Sequence, residues 1–423
     1  MEWVKTGLIA LFTMSALLLG WQTKLFNDFF SAIPFFRDVA VLLRGTAGAG
    51  AAESGEVTLK EAARPLTIII TNEEGSRYGV KYDTIARNID YDRTSSILRD
   101  ALGSASVPRE INEEEWRAAL LLPGVYFEYY MPVRLSILVG WLDVRLSETM
   151  SDMLLRRMFI AFSEDRSRIY YQNNDNGKFF VADTAASAGK VQELDMYVAN
   201  YAQFAFETGI DTAENAPYML LLPESDYSDI RAASVGSVED LSDIVLHAMG
   251  HGNERDMQYY GGDGELIRVG PQFNIRVDAL GRVLYRRTDV YPQQSEEYMQ
   301  SESEMIEIAR IIVADTLGST GSGAEVFFET LEYSEGNLCS VYFGYYISGG
   351  RIHLYDDGYA ARITFHEGMV TEFELNFRHY TLSGEFTRLL PKRQALAAAG
   401  GEFVLYYSDT GTERLQPMWV LYD

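Results

Sequence analysis

SESEMIEIARIIVADTLG, residues 301–318, followed by VFFETLEY (326–333), LCSVYFGYYI (338–347) and EFELNF (372–377), is the part of the chain whose reading decides the fold. Ser301 and Glu304 have the spacing of a capping box, and Met305, Ile308, Ala309 and Ile312 recur at helical period on one face. Gly318 stops that helix, and 319–323 is a Ser/Gly loop. The period then changes to two: Phe373, Leu375 and Phe377 alternate with Glu372, Glu374 and Asn376, which predicts a strand with one buried face. Turns at Gly349-Gly350 and Glu367-Gly368 divide the run into an antiparallel meander. One helix backed by a meander is an α+β module.

The same order precedes it. Ser237-Val-Glu-Asp240 opens a helix through Met249, and strands are predicted at 265–269, 273–278 and 282–286. Further upstream, LTIIIT (66–71) reads as a buried strand. Residues 83–103, with Ile85, Ile89, Ile97 and Leu98, and residues 113–121 read as helices. VYFEYYMPVRLSILVGW (125–141), MFIAFSE, RIYYQNN and KFFVADT read as strands, with a type I′ turn at Asn176-Gly177. A further helix is expected at 190–207. After the meander, Pro391 opens a short helix ended by Gly400-Gly401, and a hairpin (403–407 with 418–422) closes the chain.

Outward from these modules, VKTGLIALFTMSALLLGW (4–21) sets the location. Eighteen residues span roughly 27 Å as a helix, close to a bilayer core of about 30 Å. Lys5 is its one charge and Trp3 and Trp21 bracket it. No small-x-small cleavage pattern follows closely, so a retained signal anchor is the first reading, a cleaved signal peptide the second and a buried helix the third. With no second span, the remainder is expected outside the cell membrane. Thr6, Ala10, Thr13, Ala16 and Gly20 share one face, a small-residue stripe suited to a partner helix. The domain organisation is then 1–24 tip and anchor, 25–64 juxtamembrane segment and linker, and three α+β domains at 65–212, 213–300 and 301–423.

The 423 residues carry a net charge of −25, and after Lys24 there are 34 Lys and Arg against 60 Asp and Glu. That excess disfavours nucleic acid, whose binding depends on phosphate neutralisation, and docking on anionic lipid. Cys339 is the one cysteine, so no disulfide forms within the chain, and its apolar strand context marks a buried side chain. No nucleophile elbow or phosphate loop is present. His247 and His251 stand four apart, yet Ala248 occupies the position where a zinc hydrolase carries Glu. Catalytic residues, cofactors and metals are therefore all expected to be absent, with a metal hydrolase on His247/His251 as one rival and an extracytoplasmic ligand- or peptide-binding module as another.

Phe373-Glu-Leu-Asn-Phe377, Leu389-Leu-Pro-Lys-Arg-Gln-Ala-Leu396 and Pro417-Met-Trp-Val-Leu421 resemble the YycH/YycI family, membrane-anchored accessory regulators of the WalK (YycG) sensor kinase of low-GC Gram-positive bacteria. The three-domain length is similar to the YycH branch. The resemblance implies later domains similar to PepSY modules and no catalytic residues. It also implies partnership with a WalK-like sensor histidine kinase and a YycH/YycI paralogue, adjusting control of cell-wall metabolism, with the small-residue stripe as the contact.

Overall fold

The computed structural model describes residues 59–145, 150, 153–163, 166–187, 201–223, 225–262, 264–288, 301–335, 337–355 and 358–422. Val4–Trp21, with its stripe Thr6, Ala10, Thr13, Ala16 and Gly20, lies outside them, as do residues 25–58. Among the described residues no helix is long and apolar enough to cross a membrane. Residues 243–255 belong to a different compact unit from the other described residues.

The first sheet has seven strands: β1 (Thr67–Thr71), β2 (Arg77–Val80), β3 (Arg109–Ile111), β4 (Gly124–Arg134), β5 (Leu154–Ser163), β6 (Arg166–Asn173) and β7 (Phe179–Thr184), in the order β2-β1-β4-β5-β6-β7-β3. Every pairing is antiparallel. Its strands are buried almost throughout because both faces are covered. Helix Thr84–Gly103, capped by Asp83 accepting from the Ala86 N–H, packs on one side through β1, β6 and β7. On the other, Trp116 of helix Glu113–Ala119 is 0% exposed, stacks on Phe179 at 5.5 Å and meets Tyr218 edge-on at 5.9 Å. A side chain buried in this way contributes about 1.5–3 kcal/mol.

A second sheet of eleven strands takes in β11 (Met257–Tyr260), β12 (Leu266–Val269), β13 (Phe273–Val277), β14 (Arg282–Arg287), β15 (Glu325–Ser334), β16 (Leu338–Ile347), β17 (Gly350–Leu354), β18 (Ala361–His366), β19 (Met369–Asn376), β21 (Phe403–Asp409) and β23 (Pro417–Leu421). The two meanders meet where β14 pairs with β19, so sheet pairing continues across residue 300. Cross-strand register decides the faces. Phe273, Ile275, Val277, Val283, Tyr285, Phe373, Leu375, Ile363 and Phe365 all point to one side and are buried, and the strand of Ile363 and Phe365 packs against helix Glu302–Thr316. The opposite face is polar: Arg286 pairs with Glu372, and Arg282 and Arg362 flank Glu374. Two tight turns, Ser348-Gly349 (one residue before the expected Gly349-Gly350, since Gly350 already opens a strand) and Glu367-Gly368, hold both central residues at positive φ, the type I′ pattern. A three-stranded sheet orders β20 (Arg378–Thr387), β10 (Tyr227–Ser234) and β22 (Arg414–Leu415), and β8 (Gln203–Phe204) pairs with β9 (Leu220–Leu221).

Four local expectations are corrected. Leu135–Trp141 is a helix rather than strand; Leu135, Leu138, Val139 and Leu142 recur at helical spacing and are buried together. At Asn176-Gly177 only Gly177 takes positive φ, so the link is a four-residue loop closed by the Gly177 N–H donating to the Asn173 carbonyl, not a type I′ turn. The described end of the 190–207 segment forms a short strand and a 3₁₀ turn, because Ala205 and Phe206 bond back to Met219 and Pro217. Ile85 and Ile89 face solvent while Arg87, Asp90, Tyr91 and Thr94 of the same helix face inward, Arg87 drawn to Tyr130 and Glu325 on other elements and Thr94 satisfied by the Asp90 carbonyl of its own helix.

Candidate functional site

The chemistry-bearing residues concentrate where the first sheet meets the second. Glu128 of β4, 0% exposed, lies opposite Thr67 of β1 and Arg157 of β5 by strand register. Its Oε2 accepts from Thr67 Oγ1 at 3.1 Å and Lys81 Nζ at 3.2 Å, and its Oε1 from Arg157 Nε at 3.1 Å. Arg156 Nη2 is 3.3 Å from the same oxygen. Both arginines also reach Glu402, which precedes β21: Arg156 grips it with two N–H groups at 2.8 and 3.3 Å, and Arg157 Nη2 donates to Oε2. The Tyr422 ring lies under the Arg156 guanidinium at 3.8 Å. Three cations thus surround two carboxylates in a buried position. Burial alone raises both carboxyl pKa values, but the attraction of Lys81, Arg156 and Arg157 outweighs it, and Glu128 and Glu402 are held below the ordinary carboxylate range.

A second cluster ties helix Thr84–Gly103 to β15. Arg87, 0% exposed, donates to Tyr130 Oη and to Glu325, and Arg64 holds the other Glu325 oxygen at 2.6 Å. Arg64 falls in the stretch expected to be linker, so the end of that stretch is part of the folded body. Tyr130 packs at 4.3 Å against both Phe327 and Tyr346, and Tyr346 donates to Glu329, which Arg351 chelates. Gly349 closes the junction: a Cβ there would stand 2.6 Å from the Lys81 carbonyl oxygen, and its φ is +75°. Gly349→Ala is expected to cost about 2–4 kcal/mol, combining left-handed strain with displacement of that carbonyl. Urea unfolding of the purified chain measures it; a loss under 1 kcal/mol contradicts so close an approach.

This arrangement joins the two sheets, and its groups are poorly placed for reaction. Each carboxylate of the first cluster is committed to cations. Asp90 is pushed up to about 6, chiefly by burial, but is 1% exposed. Burial pushes the Cys339 thiol up to about 11. A cavity of about 20 Å³ beside Arg64, Tyr129, Tyr130 and Phe327 has room for one water.

His247 and His251 do not share a helical face. The helix Val238–Ala248 ends in a Schellman motif, with the Gly250 N–H on the His247 carbonyl, the His251 N–H on the Leu246 carbonyl, and Gly250 at φ +79°. His251 lies beyond that turn, its Nδ1 2.9 Å from Glu254. Among the described residues no group of three or more His, Cys, Asp or Glu is placed to hold a metal ion. Sequence reading singled out none of Lys81, Glu128, Arg156, Arg157 and Glu402. A trace was present, since Glu128 and Arg156-Arg157 interrupt otherwise apolar strands, but their partners are remote in the chain.

No family model matches the chain, and no curated protein is detectably similar to it. Among solved structures, the crystal structure of YycH from Bacillus subtilis matches with a TM-score of 0.54, covering 86% of this chain and 94% of its own, at 12% identity. The chain is YycH-like in fold. An uncharacterized protein from Eubacterium rectale matches over 46% of this chain and 76% of its own, with a TM-score of 0.31 and 12% identity. The YycH likeness spans both sheets in extent, since 86% of 423 residues exceeds what either holds alone.

Proposed function

We propose that this chain is a membrane-anchored, non-enzymatic regulator of a sensor histidine kinase that controls cell-wall metabolism. It is tethered by Val4–Trp21, with the bulk of the chain outside the cell, and works by contact with the kinase and with a YycH/YycI paralogue. The YycH-like fold over 86% of the chain is the observation that carries this reading. The buried ion clusters are consistent with it. They bind the two sheets into one body, suited to presenting a surface.

Regulation by contact requires only that the chain bind one kinase state better than another, by about 1–3 kcal/mol. The small-residue face Thr6/Ala10/Thr13/Ala16/Gly20 is the proposed contact within the bilayer, because small side chains let helix backbones approach. Ala16→Leu with Gly20→Leu is expected to reduce co-purification of the kinase about fivefold or more, and to shift kinase-dependent transcription while leaving membrane insertion intact. Unchanged co-purification and output remove the helix contact. A wild-type chain that never associates with a sensor kinase removes the regulator itself.

A further inference from the structure

We propose that β11 accepts an extended, basic segment of another protein as an added strand. β11 ends the eleven-stranded order and, among the described residues, pairs with β12 alone. The phase of its ladder follows from the Gly261 N–H, which donates inward to the Glu265 carbonyl at 2.8 Å. Antiparallel alternation then turns Tyr259 and Met257 toward β12, and leaves the N–H and C=O of Gln258 and Tyr260 facing outward. Exposed edges are normally guarded by Lys, Pro, a bulge or a covering loop. Met-Gln-Tyr-Tyr contains no such guard, and Met257, Tyr259 and Tyr260 are 68%, 49% and 60% exposed. Open backbone groups beside exposed apolar side chains are the two elements that strand addition uses, the first for affinity and the second for selectivity.

Charge selects the occupant. Among the described residues of its own unit, the elements next to β11 carry four carboxylates, Glu239, Asp240, Asp256 and Glu265, against Arg268. Arg268 is already paired with Asp256. The side chains of the incoming strand would also be sorted by face. Met257 and Tyr259 lie on the same face as Ile267 and Val269, so residues opposite them are apolar. Tyr260 lies on the other face, that of buried Leu266, and at its rim the hydroxyl donates to Glu239 at 2.6 Å, so a Lys or Arg opposite Tyr260 would reach that carboxylate. The occupant is therefore an alternating cationic and aliphatic segment. This inference stands apart from the regulator reading, since it holds whether or not the partner is a kinase.

The test uses the full-length chain in detergent and three labelled heptapeptides followed by fluorescence anisotropy: Lys-Val-Lys-Val-Lys-Val-Lys, its Glu-for-Lys counterpart, and a version with the central Val replaced by Pro. Saturable binding of the first peptide alone is expected. Gln258→Pro should weaken it about tenfold, because it removes an outward donor and leaves the β11–β12 ladder intact. Tyr259→Glu, which keeps the backbone, should weaken it as well, and both variants should keep the wild-type thermal midpoint. Absent binding, equal binding of the acidic peptide, or full binding by folded Gln258→Pro overturns the proposal. Self-association of the chain that Gln258→Pro abolishes would overturn it in favour of a second copy at this edge.

Discussion

Glu128→Gln is expected to lower the unfolding free energy by about 3–5 kcal/mol, as breaking a buried ion pair from one side does. Gln keeps the shape and can accept from Thr67, but it leaves Lys81, Arg156 and Arg157 facing Glu402 alone. The cost is that of uncompensated buried charge, so relieving the charge should restore part of it. Glu128→Gln with Lys81→Met is expected to be more stable than Glu128→Gln by 1 kcal/mol or more, a coupling of the size seen between residues in one network. The pH dependence has a definite sign. Glu128 and Glu402 have folded pKa values below their unfolded ones, so their contribution is complete above the ordinary carboxylate range. It is lost as pH falls from about 4.5 toward the folded values, because the unfolded chain then binds more protons. Urea melts between pH 7 and pH 3 should show a steeper loss for wild type than for Glu128→Gln. Parallel slopes would mean that this cluster is not what acid attacks.

Tyr285→Ala is expected to cost a similar amount, about 3–5 kcal/mol, by a different mechanism. Tyr285 is 0% exposed at the seam of the two meanders, directly across from Phe373. The rings stack at 4.5 Å with planes 6° apart, and Phe273 stacks behind at 6.4 Å. Truncation removes that contact, worth about 0.5–1.5 kcal/mol beyond area, and leaves a cavity between layers that cannot close without bending the sheet. The loss should also be local. Amide exchange ought to quicken across β11–β14, which reaches the rest of its sheet through β14 and β19, while β16 and β18 stay protected. Uniform quickening in both places would show that the two modules unfold as one and that the seam is not the weak line. Together the two substitutions separate the junction between sheets from the seam within one.

How far each feature could be read in advance followed from the range of the interaction that makes it. The Ser301/Glu304 capping box formed as its spacing predicts, because its atoms lie within four residues of one another. So did the burial of Phe373, Leu375 and Phe377, and the Glu367-Gly368 turn. By contrast β10, β11 and β20 gave no clear periodic signal. β10 and β20 are paired 150 residues apart in the chain, and β11 is too short and too exposed to show alternation. Leu135–Trp141 reads as strand in the sequence and folds as helix, because a short apolar run suits both.

Length, apolar periodicity, turn residues and an acidic composition by themselves determined a mixed helix-and-sheet chain with helix-then-meander modules and a buried lone cysteine. Those properties arise from local backbone preference and from the two periods that separate apolar from polar faces. Only the tertiary structure decided that two meanders fuse through β14 and β19, that Glu128 and Glu402 share Arg156 and Arg157 across more than 240 residues, and that β11 ends the strand order among the described residues. Each of these depends on which remote segment arrives opposite. That choice is made by burial and charge pairing summed over the whole chain, which no short window of sequence contains.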